Sequence, residues 1–338
     1  MNQPEISQET AMTIVIVHFN EMQYMPGVLD SLANQDFKQF KVMVVDNNSR
    51  PENRAALETL LSSYPSLDIE LVKNKHDVYY PGGNNTVLRQ LQTPFVCIMN
   101  PDINFGPDLL ANAMAFFNSE YKPDLFTPKA IFYTLKNRIW YAGAVMTPLR
   151  KTFSHHIGYL EKDSVAFSTI HETAYANGAC LFIKKEVLDS IGYFDELFFL
   201  SCDDADLSLR AKKNGFKVFY NGEFSFCHKV KTNVFEEDRQ FSLRNSKEMY
   251  YLLLRNKLIL LWRYFSLPTI VASYGTWCAY NLLAASILNI KYKRFHLLLE
   301  HIRAIVMGTI IGIRRRTHKS CKKIMRVETR YVKGVLEK

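Results

Sequence analysis

Closely spaced cysteines are missing from this 338-residue sequence. Its six cysteines are scattered, and none of them forms a Cys-x-x-Cys pair. Zinc modules and disulfide frameworks rely on such spacings, so we expect neither of them here. The N-terminal segment MNQPEISQETAMTIVIVHFN also lacks basic residues before its first apolar run. We therefore expect no signal peptide, and a reducing cytosol as the compartment.

The two common glycine-rich nucleotide motifs are absent as well. The stretch YYPGGNN, residues 79–85, has two glycines and two asparagines, yet it matches neither GxGxxG nor the P-loop pattern. This excludes the usual dinucleotide and triphosphate sites. Two interpretations of the stretch stay open. It is a turn, or it is a segment where the backbone approaches a ligand and directs its amides at a diphosphate.

The first 290 residues carry no net positive charge, and the basic character of the chain is concentrated after them. Residues 291–338 contain 14 Lys and Arg against 3 Glu, while the net charge of the whole chain is +9. Residues 264–290 carry no charge, which is long enough for a bilayer span of about 20 residues. Pro268, Gly275 and two asparagines interrupt that stretch. We therefore favour amphipathic helices attached to an anionic membrane surface over a span or over soluble packing helices.

Apolar runs alternate with helical patterns along the first part of the chain. Strand-like runs end at polar residues, as in VIVHFN and VVDNNS, and a helical pattern such as ENRAALETLLSS follows. The alternation predicts a doubly wound α/β fold with a mainly parallel sheet. Ligands bind at the carboxyl ends of the strands in such sheets. Those predicted ends carry His18, Asn20, Asp46, Asn100 and Asp102.

Three polar positions allow both a structural and a functional interpretation. Asp46 stands in a turn sequence, or it accepts a hydrogen bond from a nucleobase or a ribose. Asp102, in MNPD, belongs to an Asn-Pro turn, or it is an oxygen ligand for Mg²⁺ or Mn²⁺. His228 follows the strand-like FKVFYNGEFSFC, and it is either a core histidine or a ligand.

Three carboxylates crowd into the segment SCDDADLSLRAKKNG, at Asp203, Asp204 and Asp206. A helix that begins here explains some of them, because acids are favoured at a helix N-terminus. Gly215 suits the end of that helix, and Asp206 and Arg210 could pair on its surface. Crowding also raises the pKa of at least one carboxylate, which suits a general base.

The order of these motifs resembles a known family. VIVHFN, VVDNNS, GGNN, MNPD, the long segment that begins ANGACLFI and includes DDADLSLR, and a late FCH are similar to those of family 2 glycosyltransferases of GT-A fold. Most similar are bacterial rhamnosyltransferase-like enzymes of cell-surface polysaccharide assembly. The resemblance implies a Rossmann-like, mainly parallel sheet over residues 12–265. It leaves residues 1–11 as an N-terminal extension and residues 266–338 as a basic, membrane-associating region of amphipathic helices.

The resemblance also implies roles for individual residues on the donor side. Asp46 stands where the family contacts the nucleotide base, and Asn100 and Asp102 stand where it has its metal-binding DXD motif. Since Asn replaces the first Asp, an Mg²⁺ or Mn²⁺ ion would depend mainly on Asp102, with His228 as a further ligand. The donor-binding residues implied in this way are Val17, His18, Asn20, Asp46, Gly82, Gly83, Asn84 and Asn100.

On the acceptor side, Asp203 and Asp204 stand where the family usually has Glu-Asp, with Asp204 in the position of the general base. Asp203 and Asp206 would raise the pKa of Asp204 or hold acceptor hydroxyls. Gly178 and Ala179 match a small-residue segment near the acceptor. The change from Glu to Asp at position 203 leaves open which of the two acids is the base.

The resulting expectation is an inverting glycosyltransferase on the cytoplasmic face of a bacterial membrane. It would move a sugar, in the first instance L-rhamnose from dTDP-rhamnose, to a glycan or a lipid-diphosphate-linked acceptor. A UDP-hexose donor (galactose, glucose or an N-acetylhexosamine) is the alternative. A non-catalytic polysaccharide-assembly protein of the same fold is the alternative from another class. A sugar nucleotidyltransferase would need a basic, glycine-rich loop after the first strand, and this sequence has none there. No nucleic-acid-binding module is recognisable either. The oligomeric state stays open.

Overall fold

The computed structural model describes residues 10–150, 153–229, 247–291 and 295–317, together with residue 328. The chain forms two compact units. The first unit comprises residues up to 144, 156–196 and 207–230, and the second comprises 145–155, 197–206 and the residues from 231 onward. Most of the predicted N-terminal extension and much of the basic tail lie outside the described residues. The predicted domain boundary at residue 265 stays a prediction.

A mixed ten-stranded sheet forms the centre of the first unit, and a two-stranded sheet pairs β8 with β9. The strands of the described residues are β1 (Met12–His18), β2 (Phe40–Asp46), β3 (Ile69–Lys73), β4 (Phe95–Met99), β5 (Ile103–Phe105), β6 (Leu125–Phe132), β7 (Ile139–Tyr141), β8 (Ala144–Met146), β9 (Ser154–His156), β10 (Ile170–Glu172), β11 (Cys180–Lys184) and β12 (Val218–His228). The order across the large sheet is β10-β12-β6-β11-β4-β1-β2-β3, with β5 beside β12 and β7 beside β6.

The core of this sheet is parallel. Strands β4, β1, β2 and β3 run in one direction, and β6 is parallel to β12. Strand β11 enters antiparallel between β4 and β6. Every residue of β1 is buried, as expected for a β-branched strand that is covered on both faces. The predicted α/β fold with a mainly parallel sheet is confirmed.

Helices connect the strands of the first unit. They are α1 (Met25–Ala33), α2 (Pro51–Ser62), α3 (Tyr79–Leu88), α4 (Leu109–Phe117), α5 (Lys185–Ile191) and α6 (Asp203–Lys213). Apolar residues at helical spacing become the buried face of each helix. In α1, for example, Val28, Leu29 and Leu32 are fully buried, and Pro26 stands at its start.

Helix α6 begins in the second unit and ends in the first. Its end is fixed by Gly215, whose φ of +87° is costly for any residue with a Cβ. Gly215 donates its N–H to the carbonyl of Lys212, and Phe216 donates to that of Ala211. These two backbone hydrogen bonds together form a Schellman cap. The predicted helix from the acid cluster to a cap at Gly215 is therefore confirmed.

Helices make up most of the described second unit. They are α7 (Lys247–Tyr264), α8 (Leu267–Ser273), α9 (Ala279–Lys291) and α10 (Phe295–Arg316), with a π-helical turn at Tyr274–Cys278. Glycines bring α10 against α7. A Cβ on Gly308 would lie 2.7 Å from the carbonyl oxygen of Arg255, and one on Gly312 would lie 2.6 Å from Cβ of Trp262.

The C-terminal helices expose several large apolar side chains. On α10, one stripe at helical spacing is exposed while the opposite face packs on α7. The exposed residues of this stripe, called the α10 stripe below, are Leu299, Ile302, Val306, Ile310 and Ile313. None of the described helices combines the length and the apolar character that crossing a bilayer requires.

Candidate functional site

The ends of β1 and β2 bring two predicted donor residues together in the first unit. His18 and Asp46 are the last residues of these strands and stand opposite each other in the parallel register. Asp46 is fully buried. Its Oδ2 accepts from Nε of Arg54 at 2.6 Å, and its Oδ1 accepts from the N–H of Ser49 at 3.2 Å and lies 3.5 Å from Nδ1 of His18.

These contacts decide the charge of Asp46. Burial alone would raise the pKa of this carboxyl group, because the charged form loses its hydration. The hydrogen bonds from His18, Ser49 and Arg54 outweigh burial and hold the pKa of Asp46 well below its usual range. Asp46 is therefore ionised, and both of its oxygens already have partners. Its predicted contact with a nucleotide base stays a prediction.

Arg54 is a site residue that sequence reasoning missed. Its Nη2 is buried and forms no hydrogen bond with any described residue, and the same holds for Nε2 of His18. Buried polar atoms without partners are rare in folded proteins and deserve an explanation. The only signal in the sequence is a basic residue on the helix that follows VVDNNS, which is a common pattern.

Polar loops surround this carboxylate. Asn20 has a φ of +56°, and its side-chain oxygen accepts from the N–H of Arg50 at 2.8 Å. The N–H of Asn20 in turn donates to Oγ of Ser49 at 3.0 Å. Asn47 donates its amide to Oδ1 of Asp77 at 2.7 Å. The loops after β1 and β2 are thus fixed by side chains of the motifs VIVHFN and VVDNNS.

The segment YYPGGNN forms a helix, so its interpretation as a turn or a loop is wrong. Gly82, Gly83 and Asn84 are buried inside α3, where the helix itself uses the backbone amides after its first turn. A Cβ on Gly83 would lie 2.8 Å from Cγ1 of Val17. Glycine is needed here for close packing of α3 on β1. The predicted contacts of Gly82, Gly83 and Asn84 with the donor stay predictions. Asn84 donates to the carbonyl of Tyr80 at 2.9 Å.

The two predicted metal ligands meet at the end of β12. Nε2 of His228 lies 3.1 Å from Oδ1 of Asp102, and the N–H of Lys229 donates to the carbonyl of Asp102 at 2.8 Å. The rings of Trp140 and His228 pack at nearly a right angle, with 4.3 Å between ring centroids. Among the described residues, no group of three or more His, Cys, Asp or Glu side chains converges on one point. Asp102 and His228 therefore offer two ligands at most.

The predicted acceptor residues Gly178 and Ala179 directly precede β11, whose first residue pairs with the last residue of β4. The N–H of Asn100 donates to the carbonyl of Ala179 at 3.0 Å. The hydroxyl of Tyr80 donates to the carbonyl of Gly178 at 3.0 Å, and Ala179 donates its N–H to Oδ1 of Asn177 at 2.8 Å. This hydrogen bonding joins Asn100, Gly178 and Ala179 in one backbone cluster. Their contacts with donor or acceptor stay predictions.

The acid cluster belongs to the second unit and contains three different environments. Asp203 is only 5% exposed, Asp206 is fully buried, and Asp204 is partly exposed. Burial, followed by the neighbouring charges of Asp204 and Asp206, raises the pKa of Asp203 to about 8. Asp203 is the more deeply buried of the two neighbouring acids. The predicted rise in the pKa of Asp204 stays a prediction.

Asp206 has an ionic partner of its own. Its Oδ1 accepts from Nη1 of Arg263 at 2.7 Å and from the hydroxyl of Tyr264 at 2.7 Å. Asp206 is fully buried, so the prediction that it pairs with Arg210 on the helix surface is wrong about the location. Arg210 donates to the carbonyls of Ile191, Gly192 and Tyr193. The predicted contact of Asp206 with acceptor hydroxyls stays a prediction.

The cluster can therefore hold one proton and one accessible negative charge side by side. A neutral Asp203 can donate a hydrogen bond, and a partly exposed Asp204 can take up a proton. Pairs of carboxyl groups with separated pKa values are typical of acid–base sites.

The model of "Glycosyltransferase like family 2" matches residues 10–246. The O-antigen biosynthesis protein RfbC of Myxococcus xanthus is 26% identical over 225 residues, which cover 63% of this chain and 17% of RfbC. The low-salt glycan biosynthesis hexosyltransferase Agl10 of Haloferax volcanii is 21% identical, over 91% of this chain and 92% of Agl10. The rhamnosyltransferase WbbL of Escherichia coli K12 is 23% identical, over 64% of this chain and 82% of WbbL.

Two solved structures share the fold. The mannosyltransferase PcManGT of Pyrobaculum calidifontis, in complex with GDP-Man and Mn²⁺, superposes with a TM-score of 0.55 at 17% identity, over 93% of this chain and 89% of that one. TarS 1–349 of S. aureus, in complex with UDP-GlcNAc, superposes with a TM-score of 0.52 at 18% identity, over 91% of this chain and 92% of that one.

Proposed function

This chain belongs to glycosyltransferase like family 2, and on that premise we propose that it transfers a sugar from a nucleoside-diphosphate donor, with inversion, to an acceptor hydroxyl in surface polysaccharide synthesis. The observation that carries the proposal is the pair Asp203–Asp204, in which a buried acid with a raised pKa stands beside a partly exposed one. The names of RfbC, Agl10 and WbbL support the polysaccharide context.

In the proposed reaction, the carboxylate of Asp204 accepts the proton of the acceptor hydroxyl. The hydroxyl oxygen forms the new bond to the anomeric carbon, and the bond from that carbon to the diphosphate breaks. The nucleoside diphosphate leaves with the electron pair. Asp203, which is neutral at pH 7, carries no competing charge and orients its neighbour. This assignment favours Asp204 over Asp203 as the base.

Asp102 and His228 are the residues that would hold a divalent cation. The donor set fits, because a carboxylate oxygen and an imidazole nitrogen converge within 3.1 Å and Asp102 is partly exposed. Mg²⁺ in proteins is commonly held by one or two side chains together with substrate phosphates. The Mn²⁺ bound to PcManGT is consistent with this proposal. A bound cation would supply positive charge against the diphosphate leaving group.

For the donor, we propose dTDP-rhamnose first and a UDP-hexose second. The similarity to the rhamnosyltransferase WbbL supports the first. The second is supported by the hexosyltransferase Agl10, which this chain matches over nearly its whole length, and by TarS with its UDP-GlcNAc. The acceptor is a hydroxyl of a glycan or of a lipid-diphosphate-linked sugar on the cytoplasmic face of the membrane.

The experiment measures nucleoside diphosphate release from a panel of dTDP-, UDP- and GDP-sugars, with Mg²⁺ or Mn²⁺ and a bacterial lipid extract as acceptor. Release from one donor that requires the lipid and is lost in Asp204→Asn would establish the function and name the donor. Absence of release and of nucleotide binding across the panel would favour a non-catalytic assembly protein instead.

We also propose that the second unit attaches to an anionic membrane surface through the α10 stripe. The residues of this stripe are 39–69% exposed, and contiguous exposed apolar surface of this kind marks an interaction site. The basic character of residues 291–338 complements anionic lipid headgroups. Exposed Arg314 directly follows the stripe.

Vesicle flotation tests this attachment. Wild type should float with vesicles that contain anionic phospholipid and less with neutral ones, and a Val306→Asp/Ile310→Asp variant should stay at the bottom. Val165→Asp, at an 88% exposed position of the first unit, is the matched control and should float. Equal flotation of wild type and the stripe variant would overturn the proposal. The proposal would also be overturned if wild type were a dimer in solution and the only effect of the stripe variant were to make it a monomer.

A further inference from the structure

The segment that leads into the acid pair is held in an unfavourable backbone conformation. Three of the four residues 199–202 have positive φ: Phe199 at +56°, Ser201 at +70° and Cys202 at +65°. None of them is glycine, asparagine or aspartate, the residues that tolerate this region. Such conformations persist only where the surrounding structure enforces them, and they cluster at functional sites. The residue that follows is Asp203.

The enforcing contacts come from α7, in the same unit. Asn256 is fully buried, and its Nδ2 lies 2.9 Å from each of three carbonyl oxygens, those of Phe198, Leu200 and Ser201. A side-chain amide has two hydrogens to donate, so one group satisfies carbonyls on both sides of the left-handed Phe199.

The preceding residue of α7 completes this anchor. Arg255 is also fully buried and donates Nη2 to the carbonyl of Leu197 at 2.9 Å. Its Nη1 donates to Oδ1 of Asn256 at 2.6 Å, which fixes the orientation of that amide. Its Nε lies 3.1 Å from Oε2 of Glu328, so the buried guanidinium has a counter-charge. Two adjacent residues of one helix thus bind four carbonyls of residues 197–201.

We infer that Asn256 is a positioning residue for glycosyl transfer: its amide enforces the left-handed segment 199–202 and thereby fixes the start of α6 and the placement of Asp203 and Asp204. This inference rests on the proposed function of the acid pair. It goes beyond that function because it assigns a catalytic dependence to a buried residue of the C-terminal helices, which the donor and acceptor motifs do not include.

The test combines turnover with a readout that does not need activity. Asn256→Ala should lower kcat about 10–100-fold while donor KM stays within about twofold, because misplacement of a catalytic group by 1 Å has effects of this size. The second readout is iodoacetamide labelling of Cys202 in the folded protein, followed by mass spectrometry. Labelling of Cys202 should become several times faster in the variant, while Cys227 of the first unit serves as the internal reference.

Three further variants separate positioning from general destabilisation. Asn256→Asp keeps the shape of the side chain but loses both N–H donors, so it should behave like Asn256→Ala. Leu258→Ala removes a fully buried apolar side chain of α7; it should lower stability but leave kcat of the folded protein and Cys202 labelling unchanged. Ser201→Gly, added to Asn256→Ala, should restore part of kcat, because glycine adopts the left-handed conformation without enforcement.

The outcomes are distinct. Wild-type kcat in Asn256→Asp, or unchanged Cys202 labelling in both Asn256 variants, would overturn the inference. Loss of kcat in Leu258→Ala equal to that in Asn256→Ala would also overturn it. If wild type releases no nucleotide from any donor while Cys202 labelling still rises in the Asn256 variants, the anchor is supported and the proposed function fails.

Discussion

Asp46 in the first unit and Asp203 in the second are both buried carboxyl groups, yet their surroundings place them in opposite charge states. Asp46 receives hydrogen bonds from His18, Ser49 and Arg54, and its pKa is depressed. Asp203 has two carboxylates as neighbours, and its pKa is raised to about 8. Burial therefore makes the charge of a carboxyl group sensitive to its partners, but burial does not by itself set that charge.

This difference suits a division of labour. A donor site that binds a nucleoside diphosphate needs fixed loops and a constant charge, and the ionised Asp46 organises the loops after β1 and β2. An acceptor site that removes a proton needs groups whose protonation changes near neutral pH. The strained segment before Asp203 and the buried ion pair of Asp206 both belong to the part that is proposed to carry out chemistry.

The largest effect is expected for Asp204→Asn. Removing the general base should lower kcat about 10²–10⁴-fold, because this is the usual contribution of such a group. Donor affinity, measured by calorimetry, should stay within about twofold of wild type. Asp102→Asn is the matched donor-side change and should weaken donor binding in the presence of Mn²⁺. A loss of donor binding in Asp204→Asn would contradict the division between the two regions.

The next effect is a change in the pH dependence of stability in Asp203→Asn. In the folded protein Asp203 keeps its proton up to about pH 8, whereas the unfolded chain loses it near the ordinary value of 3.8. The unfolded state therefore binds fewer protons between these values, and Asp203 makes stability fall as pH rises from about 4 to 8, by up to about 1.4 kcal/mol per unit.

Asp203→Asn should remove this slope, because asparagine mimics the protonated acid at every pH. Urea unfolding of wild type and variant at pH 5 and pH 8 measures it. The variant should gain stability relative to wild type at both pH values and gain more at pH 8 than at pH 5, because the unfolded carboxyl group already ionises above about pH 4. Equal slopes in the two proteins would mean that Asp203 is ionised in the fold and would end the contrast with Asp46.

Sequence reasoning placed residues correctly where their position follows directly from chain order. His18, Asp46 and Asp102 come after apolar runs, and parallel strands bring their carboxyl ends to one edge. It failed at Gly82–Asn84, because two glycines after a proline favour a turn locally, while packing of Gly83 on Val17 favours a helix. It could not find Asn256 or Arg263, because only the tertiary fold brings α7 to the acid cluster.

Arg54→Ala tests the Asp46 side of the comparison. It should lower the unfolding free energy by about 2–3 kcal/mol at pH 7, because the buried carboxylate of Asp46 loses its charged partner. The folded pKa of Asp46 is depressed, so the stability it contributes is present above about pH 4 and is lost as pH falls further. The cost of Arg54→Ala should therefore shrink below pH 4. Arg50→Ala, at an exposed neighbouring position, should cost far less, and an equal cost would contradict this account.

The smallest effect is expected where a carboxylate is not buried. Arg89 and Glu196 form an ion pair of 3.2 Å, but their side chains are 60% and 50% exposed. Water screens such pairs, so Arg89→Ala should cost less than about 0.5 kcal/mol in urea unfolding at pH 7.

Asn85 contacts the same Glu196 one turn earlier on α3 and also binds the carbonyl of Phe194, and it is buried. Asn85→Ala should cost about 1–3 kcal/mol, because it leaves buried polar groups without partners. If the two variants cost the same, burial would not be what makes partners decisive, and the contrast between Asp46 and Asp203 would need another cause.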